Sequence, residues 1–400
     1  MNIVIIGTGY VGLVTGVGLA SLNNNVTFID LDSDKITNLS NKSLPFYEPD
    51  LENYFTDKDT FNRMAFVSNY SDIDWKDQDI VFICVQTPNN LETNSVDTKF
   101  LESAISEVNS VQNKDLVITI KSTIPPYEID KICEKVGLDS ESLTFNPEFL
   151  REGTAVKDFF NPDRIVIGGN DKKKVNKLKD LYKDFKAEII ITDPISSQLI
   201  KYLSNTYLPL RLSFVNEATR LINDSGGNLS DVLQGVGMDS RIGSHYFRPS
   251  PAWGGSCFPK DVLEVNNFYD SSELNLPLIS NIIESNKIQT TWTTTMIKNI
   301  IEKENLNGAI LVGAAFKEDT DDLRNSPTLD IKKQLTEIGV NVSIYDELID
   351  SEEFIKLNDF EKIDSPHLIA LMYPINESLL NKINNIVNES NSLLYIPWEL

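Results

Sequence analysis

The feature that most constrains the fold is a succession of short apolar runs, rich in isoleucine and valine, that alternate with helical patterns. Each run is continuously apolar, so a strand made from it would be buried on both faces. Such strands belong to parallel sheets that helices cover on both sides. The first part of the chain is therefore predicted to be an α/β domain. The runs are residues 2–7, 25–30, 79–85, 115–121, 142–146, 164–169 and 188–193.

A different pattern follows the last of these runs. From Pro194 to Asp224 there is no glycine and only one internal proline, Pro209, which predicts a single long helix that can kink there. A second α/β unit is expected to begin near Gly308, with a helix that starts near Pro327. The fold class is thus α/β, with two Rossmann-like, doubly wound parallel-sheet domains joined by a long central helix.

Length and charge exclude several classes of function. A chain of 400 residues is too long for one ordinary core, so more than one domain is expected. Its formal charge of −23 disfavours nucleic acid and anionic lipid as partners. No apolar run reaches the roughly 18 residues of a membrane span, and the apolar N-terminus lacks the basic residues of a signal peptide. We expect a cytoplasmic protein with no membrane partner.

A glycine motif opens the chain. Gly7, Gly9 and Gly12 form GxGxxG between a predicted strand and a predicted helix, and Asp30 ends the next strand, about 20 residues on. In that context the motif indicates a dinucleotide site, with the pyrophosphate at the helix N-terminus and the carboxylate on the adenosine ribose. Asp30 and Asp32 would repel a 2′-phosphate, which favours NAD over NADP.

Polar residues follow several of the other predicted strands. Because ligands of such sheets bind beyond the carboxyl ends of the strands, Thr87, Thr123 and residues 146–148 are expected in the same site. Glu148 and Glu152 are four residues apart, so a helical turn would stack them as acid/base candidates. A solvated acidic turn is the alternative.

The long predicted helix carries a lysine in apolar surroundings. Lys201 and Asn205 are four residues apart and therefore share one face. Most helical lysines are solvated, but the neighbours of Lys201 in sequence are largely apolar. A buried functional cation and a surface lysine both stay open here.

The three cysteines differ in context. Cys84 and Cys133 lie in patterns typical of a buried strand and a buried helix face, so both are expected in the core. An odd number of cysteines argues against a disulfide framework. Cys257 instead lies in a glycine- and proline-rich loop, where a functional thiol and a packed loop thiol both stay open.

The loop around that thiol, "PAWGGSCFPKD", is unusual in composition. Gly254 and Gly255 permit positive φ angles and close approach to a ligand. Pro259 stiffens the exit, and Lys260 and Asp261 follow at once. A thiol, an ammonium and a carboxylate thus lie within five residues, which makes a packed loop thiol less favoured than it would be for Cys257 alone.

Six motifs in order identify a family. "GTGYVG", "KST", "NPEFLREG", "IKYLSN", "RIG…GGSCFPKD" and "AFKEDTDDLRNSP" together resemble the UDP-glucose 6-dehydrogenase family of nucleotide-sugar 6-dehydrogenases. The resemblance implies an NAD-binding domain over residues 1–193, a dimer-forming helix over 194–225, and a UDP-sugar-binding domain over 226–400. It implies NAD-dependent oxidation of UDP-glucose, or a related UDP-sugar, to the uronic acid by a homodimer, with two NAD consumed.

The implied chemistry explains the cysteine. An aldehyde has no hydroxyl on its oxidisable carbon, but thiolate addition makes a thiohemiacetal that can lose a second hydride and become a thioester. The resemblance assigns Cys257 as nucleophile, Lys201 with Asn205 as oxyanion donors, Asp261 as a holder of water or protons, and Glu152 as base for hydrolysis. No metal is predicted. The predicted catalytic residues are Cys257, Lys201, Asn205, Asp261, Glu152 and Thr123, the last of which helps to place the water.

The same resemblance implies the binding residues. Residues 149–151 would contact the sugar nucleotide through the main chain, and Arg241 would reach the site of a partner subunit. The cofactor set is Gly7, Gly9, Tyr10, Val11, Gly12, Asp30, Lys35, Thr87, Thr123, Glu152, Lys260 and Arg324. The substrate set is Glu148, Phe149, Leu150, Arg151, Lys201, Asn205, Arg241, Tyr246, Arg248, Gly254 and Lys317.

Some positions depart from the family pattern, and alternatives stay open. Gln86 replaces a usual proline, Tyr127 and Asp50 replace common glycines, and Trp253 fills a slot that is often tyrosine or phenylalanine. The main alternative is a UDP-N-acetylhexosamine 6-dehydrogenase, which usually has histidine before the cysteine and no lysine after the proline. A two-electron hydroxyacid-type dehydrogenase and an inactive NAD-binding regulator are the others.

Overall fold

The computed structural model describes residues 1–90, 95–270 and 275–398. The chain divides into two compact units, residues 1–204 and 205–400. Each unit is built on its own parallel or mainly parallel sheet. The α/β class predicted from the apolar runs is confirmed.

The first unit contains an eight-stranded sheet in the order β10-β9-β8-β7-β4-β1-β2-β3. Neighbouring strands are parallel except β8 and β9, which are antiparallel. β5 and β6 form a separate antiparallel pair. The strands are β1 Asn2–Ile6, β2 Asn25–Ile29, β3 Met64–Val67, β4 Ile80–Ile83, β5 Asn89–Asn90, β6 Ser95–Val96, β7 Val117–Ile120, β8 Thr144–Phe145, β9 Arg164–Gly169 and β10 Glu188–Thr192.

All seven apolar runs form strands, but one of them is not buried as predicted. β10 lies at the edge of the sheet, where Ile190 and Ile191 are 37% and 46% exposed. An edge strand has a neighbour on one side only, so apolar composition alone does not bury it. β3, at the other edge, was not predicted, because "MAFV" is short and has no such isoleucine-rich run.

Helices cover both faces of this sheet. Along β1, Ile3 and Ile5 pack into one hydrophobic cluster, whereas Val4 and Ile6 pack into a second cluster on the opposite face. Cys84 and Cys133 are buried in these clusters, as predicted. The helices are α1 Tyr10–Ser21, α2 Ser33–Ser40, α3 Leu51–Thr56, α4 Lys58–Phe61, α5 Lys99–Asn109, α6 Pro126–Val136, α7 Ala155–Phe160 and α8 Lys172–Leu181.

The long helix is present as predicted. α9 runs over Pro194–Ser225 without interruption and contains Pro209 in its interior. It begins in the first unit and continues into the second.

The second unit has a four-stranded parallel sheet in the order β12-β11-β13-β14, with hydrophobic clusters on both faces. β11 begins at Ala309 and α14 at Pro327, which agrees with the predicted start of a second α/β unit. The strands are β11 Ala309–Val312, β12 Val342–Tyr345, β13 Leu368–Leu371 and β14 Leu393–Tyr395. The helices are α10 Leu229–Gly237, α11 Phe258–Asp270, α12 Pro277–Ser280, α13 Ile282–Glu304, α14 Pro327–Glu337, α15 Leu357–Phe360 and α16 Glu377–Ser390.

Two of the unusual residues have a structural explanation. Asp50 adopts a left-handed conformation with φ 64°, which aspartate tolerates better than most residues and glycine tolerates best. Trp253 is 6% exposed, and its indole nitrogen donates to Ser213 Oγ at 2.9 Å. In the described part of the chain, no helix combines the length and apolar character needed to cross a membrane.

Candidate active site

The glycine turn lies at the point where the strand order reverses. β2 and β3 lie on one side of β1, and β4 and β7 lie on the other, so a crevice is expected beyond the end of β1. Gly7 has φ 94°, and a Cβ there would lie 2.7 Å from the carbonyl oxygen of Cys84. A Cβ on Gly12 would lie 2.0 Å from the oxygen of Gly7, whereas one on Gly9 would meet nothing within 4 Å. The backbone is therefore closely packed at Gly7 and Gly12 and open at Gly9, just before α1. The open space at Gly9 fits a pyrophosphate.

Asp30 is held at the end of β2 as an acceptor. Its Oδ2 accepts from Thr8 N at 2.9 Å, from Thr8 Oγ1 at 2.7 Å and from Lys35 Nζ at 3.2 Å. Burial raises the pKa of Asp30, but the bonds from Thr8, Asp32 and Lys35 outweigh it, so the pKa lies below its usual value. An ionised carboxylate at this point fits a ribose diol and opposes a ribose phosphate.

Two other predicted strand-end residues meet in the first unit. Thr87 Oγ1 donates to the carbonyl oxygen of Thr123 at 2.8 Å. This bond ties the segment after β4 to the segment after β7 beside the glycine turn.

Lys201 is a buried cation with a direct anionic partner. Its Nζ lies 2.6 Å from Glu148 Oε1 and 2.8 Å from the carbonyl oxygen of Glu148, and the two side chains are 4% and 7% exposed. The ring centroid of Phe149 lies 5.5 Å from the same ammonium. The open question of a surface or buried lysine is therefore settled in favour of burial, where a charge acts strongly on nearby groups.

The predicted stacking of Glu148 and Glu152 is wrong. Residues 146–151 form no helix, because Pro147 and the hydrogen bonds of this segment hold it in irregular backbone. Glu148 turns to Lys201, whereas Glu152 lies in a turn just before α7 and acts electrostatically on the hydroxyl of Tyr10. The two carboxylates are thus separated into different environments.

The main chain of the same segment is already engaged within the unit. Leu150 N donates to Glu148 Oε2 at 2.6 Å, and Arg151 N donates to Asp158 Oδ2 at 3.0 Å. The Arg151 guanidinium also pairs with Asp158 at 2.5 Å. These bonds fix the shape of the segment.

Among the buried ionisable residues of this unit that were not predicted are Lys121 and Glu48. Lys121 Nζ donates to Asn146 Oδ1 at 2.9 Å, and burial lowers its pKa. Glu48, 4% exposed, accepts from the hydroxyl of Tyr10 and from the backbone near α7. Lys121 directly follows a buried strand, and this position could have predicted its burial. No sequence pattern indicated the partners of Glu48.

In the second unit, Cys257 directly precedes α11. Its carbonyl oxygen accepts from Asp261 N at 2.8 Å, and its side chain is exposed. Gly255 has φ 92°, and a Cβ on Gly254 would lie 2.0 Å from the carbonyl oxygen of Asn325. Both glycines are therefore required, and the exposed thiol lies at a helix N-terminus, which favours a thiolate.

Beside the thiol, Asp261 joins two predicted site residues. Lys260 Nζ lies 2.7 Å from Asp261 Oδ1, and Asn205 Nδ2 donates to Asp261 Oδ2 at 2.6 Å. Asp261 is 1% exposed. Burial lowers the pKa of Lys260, but Asp261, Glu264 and Cys257 raise it more, so the pKa lies above its usual value. Lys260 is therefore a cation held next to the cysteine.

The remaining predicted cations are at the surface of the second unit, each near an acidic or aromatic residue. Arg248 lies 3.8 Å from Glu318, and its guanidinium lies 5.4 Å from the ring centroid of Trp398. Two others form ion pairs: a guanidinium nitrogen of Arg324 lies 2.7 Å from Asp322 Oδ2, and one of Arg241 lies 2.6 Å from Asp239 Oδ2. The ammonium of Lys317 lies 5.7 Å from the ring centroid of Phe316. Tyr246 adopts a positive φ of 54°.

Comparison with known proteins agrees with this arrangement. Residues 1–186, 195–288 and 310–381 match the NAD binding, central and UDP binding domains of the UDP-glucose/GDP-mannose dehydrogenase family. A UDP-glucose 6-dehydrogenase of Rickettsia prowazekii is 39% identical over 353 residues, which is 86% of this chain and 81% of that protein. A UDP-glucose 6-dehydrogenase of Bacillus subtilis is 35% identical over 86% of this chain and 79% of its own length.

A solved structure is similar throughout. The UDP-glucose dehydrogenase of Pyrobaculum islandicum has a TM-score of 0.83 and 30% identity, and the match covers 93% of this chain and 89% of that one. The glycine turn, the acceptor Asp30 and these matches agree on an NAD-dependent dehydrogenase. The chain belongs to the UDP-glucose/GDP-mannose dehydrogenase family.

Proposed function

We propose that this protein oxidises C6 of UDP-glucose twice and forms UDP-glucuronate, with two NAD consumed per sugar. The observation that carries the proposal is the exposed thiol of Cys257 at the start of α11, beside the buried group of Lys260, Asp261 and Asn205. A two-electron dehydrogenase has no need of a nucleophile there. The proposed division of labour is cofactor binding by residues 1–193, dimerisation by 194–225 and UDP-sugar binding by 226–400.

NAD, when bound at the glycine turn, accepts a hydride from C6 in each of the two oxidations. In the first, the C6 alcohol loses a hydride from carbon and a proton from oxygen, and an aldehyde forms. Cys257 Sγ then adds to the aldehyde carbon. The carbonyl oxygen becomes an oxyanion, which Lys201 and Asn205 stabilise before it takes up a proton as a thiohemiacetal.

The thiohemiacetal carbon again bears both a hydrogen and a hydroxyl group. Loss of its hydride and of the hydroxyl proton gives a thioester on Cys257. Glu152 acts as the base that takes a proton from water, Thr123 helps to place that water, and Asp261 holds water or relays protons. Attack of water breaks the carbon–sulfur bond, which releases the acid and restores the thiol.

Local cations hold the substrate against the protein's charge of −23. Lys317 and Arg248 are proposed to bind the uridine diphosphate, because charge-assisted bonds to phosphate are strong. Tyr246, which carries no charge, is proposed as a further contact to the same group. The segment 149–151 is proposed for the sugar. The Phe149 ring packs 3.6 Å from the guanidinium of Arg164, which supports the rigidity of that segment.

We further propose a homodimer formed through α9. Four of the exposed apolar residues of this helix are spaced by four or seven positions, so they share one face. A net charge of −23 disfavours association of the chain with a copy of itself unless the interface is apolar. These residues are Leu203, Tyr207, Phe214 and Leu221, which are 50%, 58%, 58% and 67% exposed.

A panel of UDP-sugars tests the substrate. NADH production is measured with UDP-glucose, UDP-N-acetylglucosamine and UDP-N-acetylmannosamine at equal NAD. We expect the highest kcat/KM with UDP-glucose. A higher kcat/KM with either N-acetylated sugar would contradict the proposal.

A further inference from the structure

The carboxylate of Glu48 joins three segments that are distant in sequence. Its Oε2 accepts from the hydroxyl of Tyr10 and from Gly153 N at 2.7 Å. Its Oε1 accepts from Ala155 N at 2.6 Å. Tyr10 is the first residue of α1, in the glycine turn, and Ala155 is the first residue of α7. One side chain therefore connects the cofactor turn to the backbone directly after Glu152.

The buried carboxylate of Glu48 depends on the donors that surround it. Glu48 is 4% exposed, and a buried carboxylate is costly unless donors surround it. Burial raises its pKa, and the bonds from Tyr10, Gly153 and Ala155 offset this only in part.

Glu152 belongs to the same neighbourhood. Burial, Glu48 and Glu152 all raise the pKa of the Tyr10 hydroxyl, so both carboxylates lie close enough to act on one phenol. Glu152 immediately precedes Gly153, whose amide is bound by Glu48. Movement of residues 153–155 therefore moves Glu152.

We propose that Glu48 is a positioning residue that clamps residues 153–155 to Tyr10 and thereby holds Glu152 in place for thioester hydrolysis. The inference rests on the proposed function, in which Glu152 is the base of that step. Hydride removal and thiol addition do not use Glu152 as a base. Loss of the clamp therefore slows the last step selectively.

This selectivity gives a kinetic signature. In an acyl-enzyme sequence, kcat/KM for UDP-glucose reports the steps up to the first irreversible one, whereas kcat also contains hydrolysis. In Glu48→Gln the amide group of glutamine cannot accept both backbone N–H groups, so the segment after Glu152 loosens. We expect kcat to fall by about tenfold to 100-fold, as a misplaced catalytic group does.

The same variant should keep kcat/KM for UDP-glucose within about twofold of wild type. The thioester should accumulate on Cys257 and appear in the intact mass of the protein as an added UDP-glucuronyl group. Backbone amides of residues 153–155 should also exchange hydrogen faster. An equal fall of kcat and kcat/KM would mean a merely structural role and would overturn the proposal.

Tyr10→Phe is the second variant. It removes only the hydroxyl and keeps the ring, whose centroid lies 5.0 Å from that of Phe46. Because Tyr10 also belongs to the predicted cofactor set, the variant is measured at saturating NAD, where it should show the same pattern with a smaller fall in kcat. If Glu48→Gln does not fold, this variant decides alone, and normal acid release in it contradicts the clamp. Glu52→Gln, an exposed carboxylate on α3, is the matched control and should behave as wild type.

Glu152→Gln distinguishes a failure of the clamp from a failure of the proposed function. If it accumulates the thioester but Glu48→Gln and Tyr10→Phe do not, the clamp is wrong and the proposed function stands. If Glu152→Gln accumulates no adduct and wild type yields one NADH per sugar, the proposed function itself fails.

Discussion

Asn205 Nδ2 donates a hydrogen bond to Asp261 Oδ2 at 2.6 Å, and the two residues are 7% and 1% exposed. The other oxygen of this carboxylate lies 2.7 Å from the ammonium of Lys260. Asp261 thus fixes the amide of Asn205 and neutralises a cation beside Cys257. The bond links α9 to the start of α11 within the second unit.

Asp261→Asn tests this arrangement. The variant removes the carboxylate that contacts Lys260 directly and leaves only the weaker influences of Glu264 and Cys257, so we expect a loss of about 1–3 kcal/mol in the free energy of unfolding at pH 7 and a fall in kcat. The folded-state pKa of Lys260 lies above 10.5, so the ion pair contributes stability below that value and loses it as pH rises through the raised pKa. The difference between wild type and variant in urea unfolding should therefore shrink above pH 10.5.

The control for this variant is an exposed ion pair. Lys298 lies 2.9 Å from Glu302 one turn away on α13, and exposed pairs contribute about 0–1 kcal/mol. Glu302→Gln should barely change stability at either pH. A pH-independent defect in Asp261→Asn would show that the ion pair is not the source of its effect.

Cys257→Ser should still attack the aldehyde but leave an ester that hydrolyses slowly, so a sugar nucleotide should stay attached to the protein in intact-mass measurements. Cys257→Ala should fold and form no acid. Normal turnover in either variant refutes the nucleophile.

The other two cysteines provide controls for that experiment. Cys84 and Cys133 are buried, and burial raises their pKa values to about 12 and about 11. Substitution of either by alanine should cost about 1–2 kcal/mol of stability and little activity. If either variant stays folded but loses most of its activity, that cysteine would be a second functional thiol.

Asp30 is predicted to select NAD over NADP. Wild type should use NADP poorly, because an ionised carboxylate at the end of β2 would repel a 2′-phosphate. Asp30→Asn should therefore reduce the difference in kcat/KM between NAD and NADP. Since the pKa of Asp30 is depressed below 3.8, its hydrogen bonds stabilise the fold above that pH and are lost as pH falls through the folded value. Acid unfolding of Asp30→Asn should accordingly depend less on pH below 3.8. Equal efficiency of wild type with NAD and NADP contradicts the assignment.

Arg241 is predicted to act in the site of a partner subunit. Its side chain is 87% exposed and paired only locally with Asp239 in the described structure, so it is available at the surface. Arg241→Ala should raise KM for the UDP-sugar more than KM for NAD. Subunit exchange between Arg241→Ala and Cys257→Ala should restore activity, because a mixed dimer has one site with both wild-type residues. Mixed dimers without activity would assign Arg241 to its own subunit.

Much of the fold followed from the sequence, because continuous apolar runs and the glycine turn encode strands and a phosphate-binding helix locally. Three site residues could be predicted for the same reason, because their positions depend on local sequence. Thr123 follows a strand, Lys201 lies on a helix and Cys257 lies in a rigid loop. What was missed depends on tertiary position. β10 is exposed because it lies at an edge, and Glu48 gains its partners only when segments 105 residues apart meet.

The yield of NADH per sugar decides whether Cys257 supports a four-electron oxidation. A limiting, weighed amount of UDP-glucose is incubated with excess NAD until absorbance stops rising, and NADH is compared with sugar consumed. The account predicts two NADH per UDP-glucose, with UDP-glucuronate as product. One NADH per sugar, with an aldehyde or ketone accumulating, would contradict it.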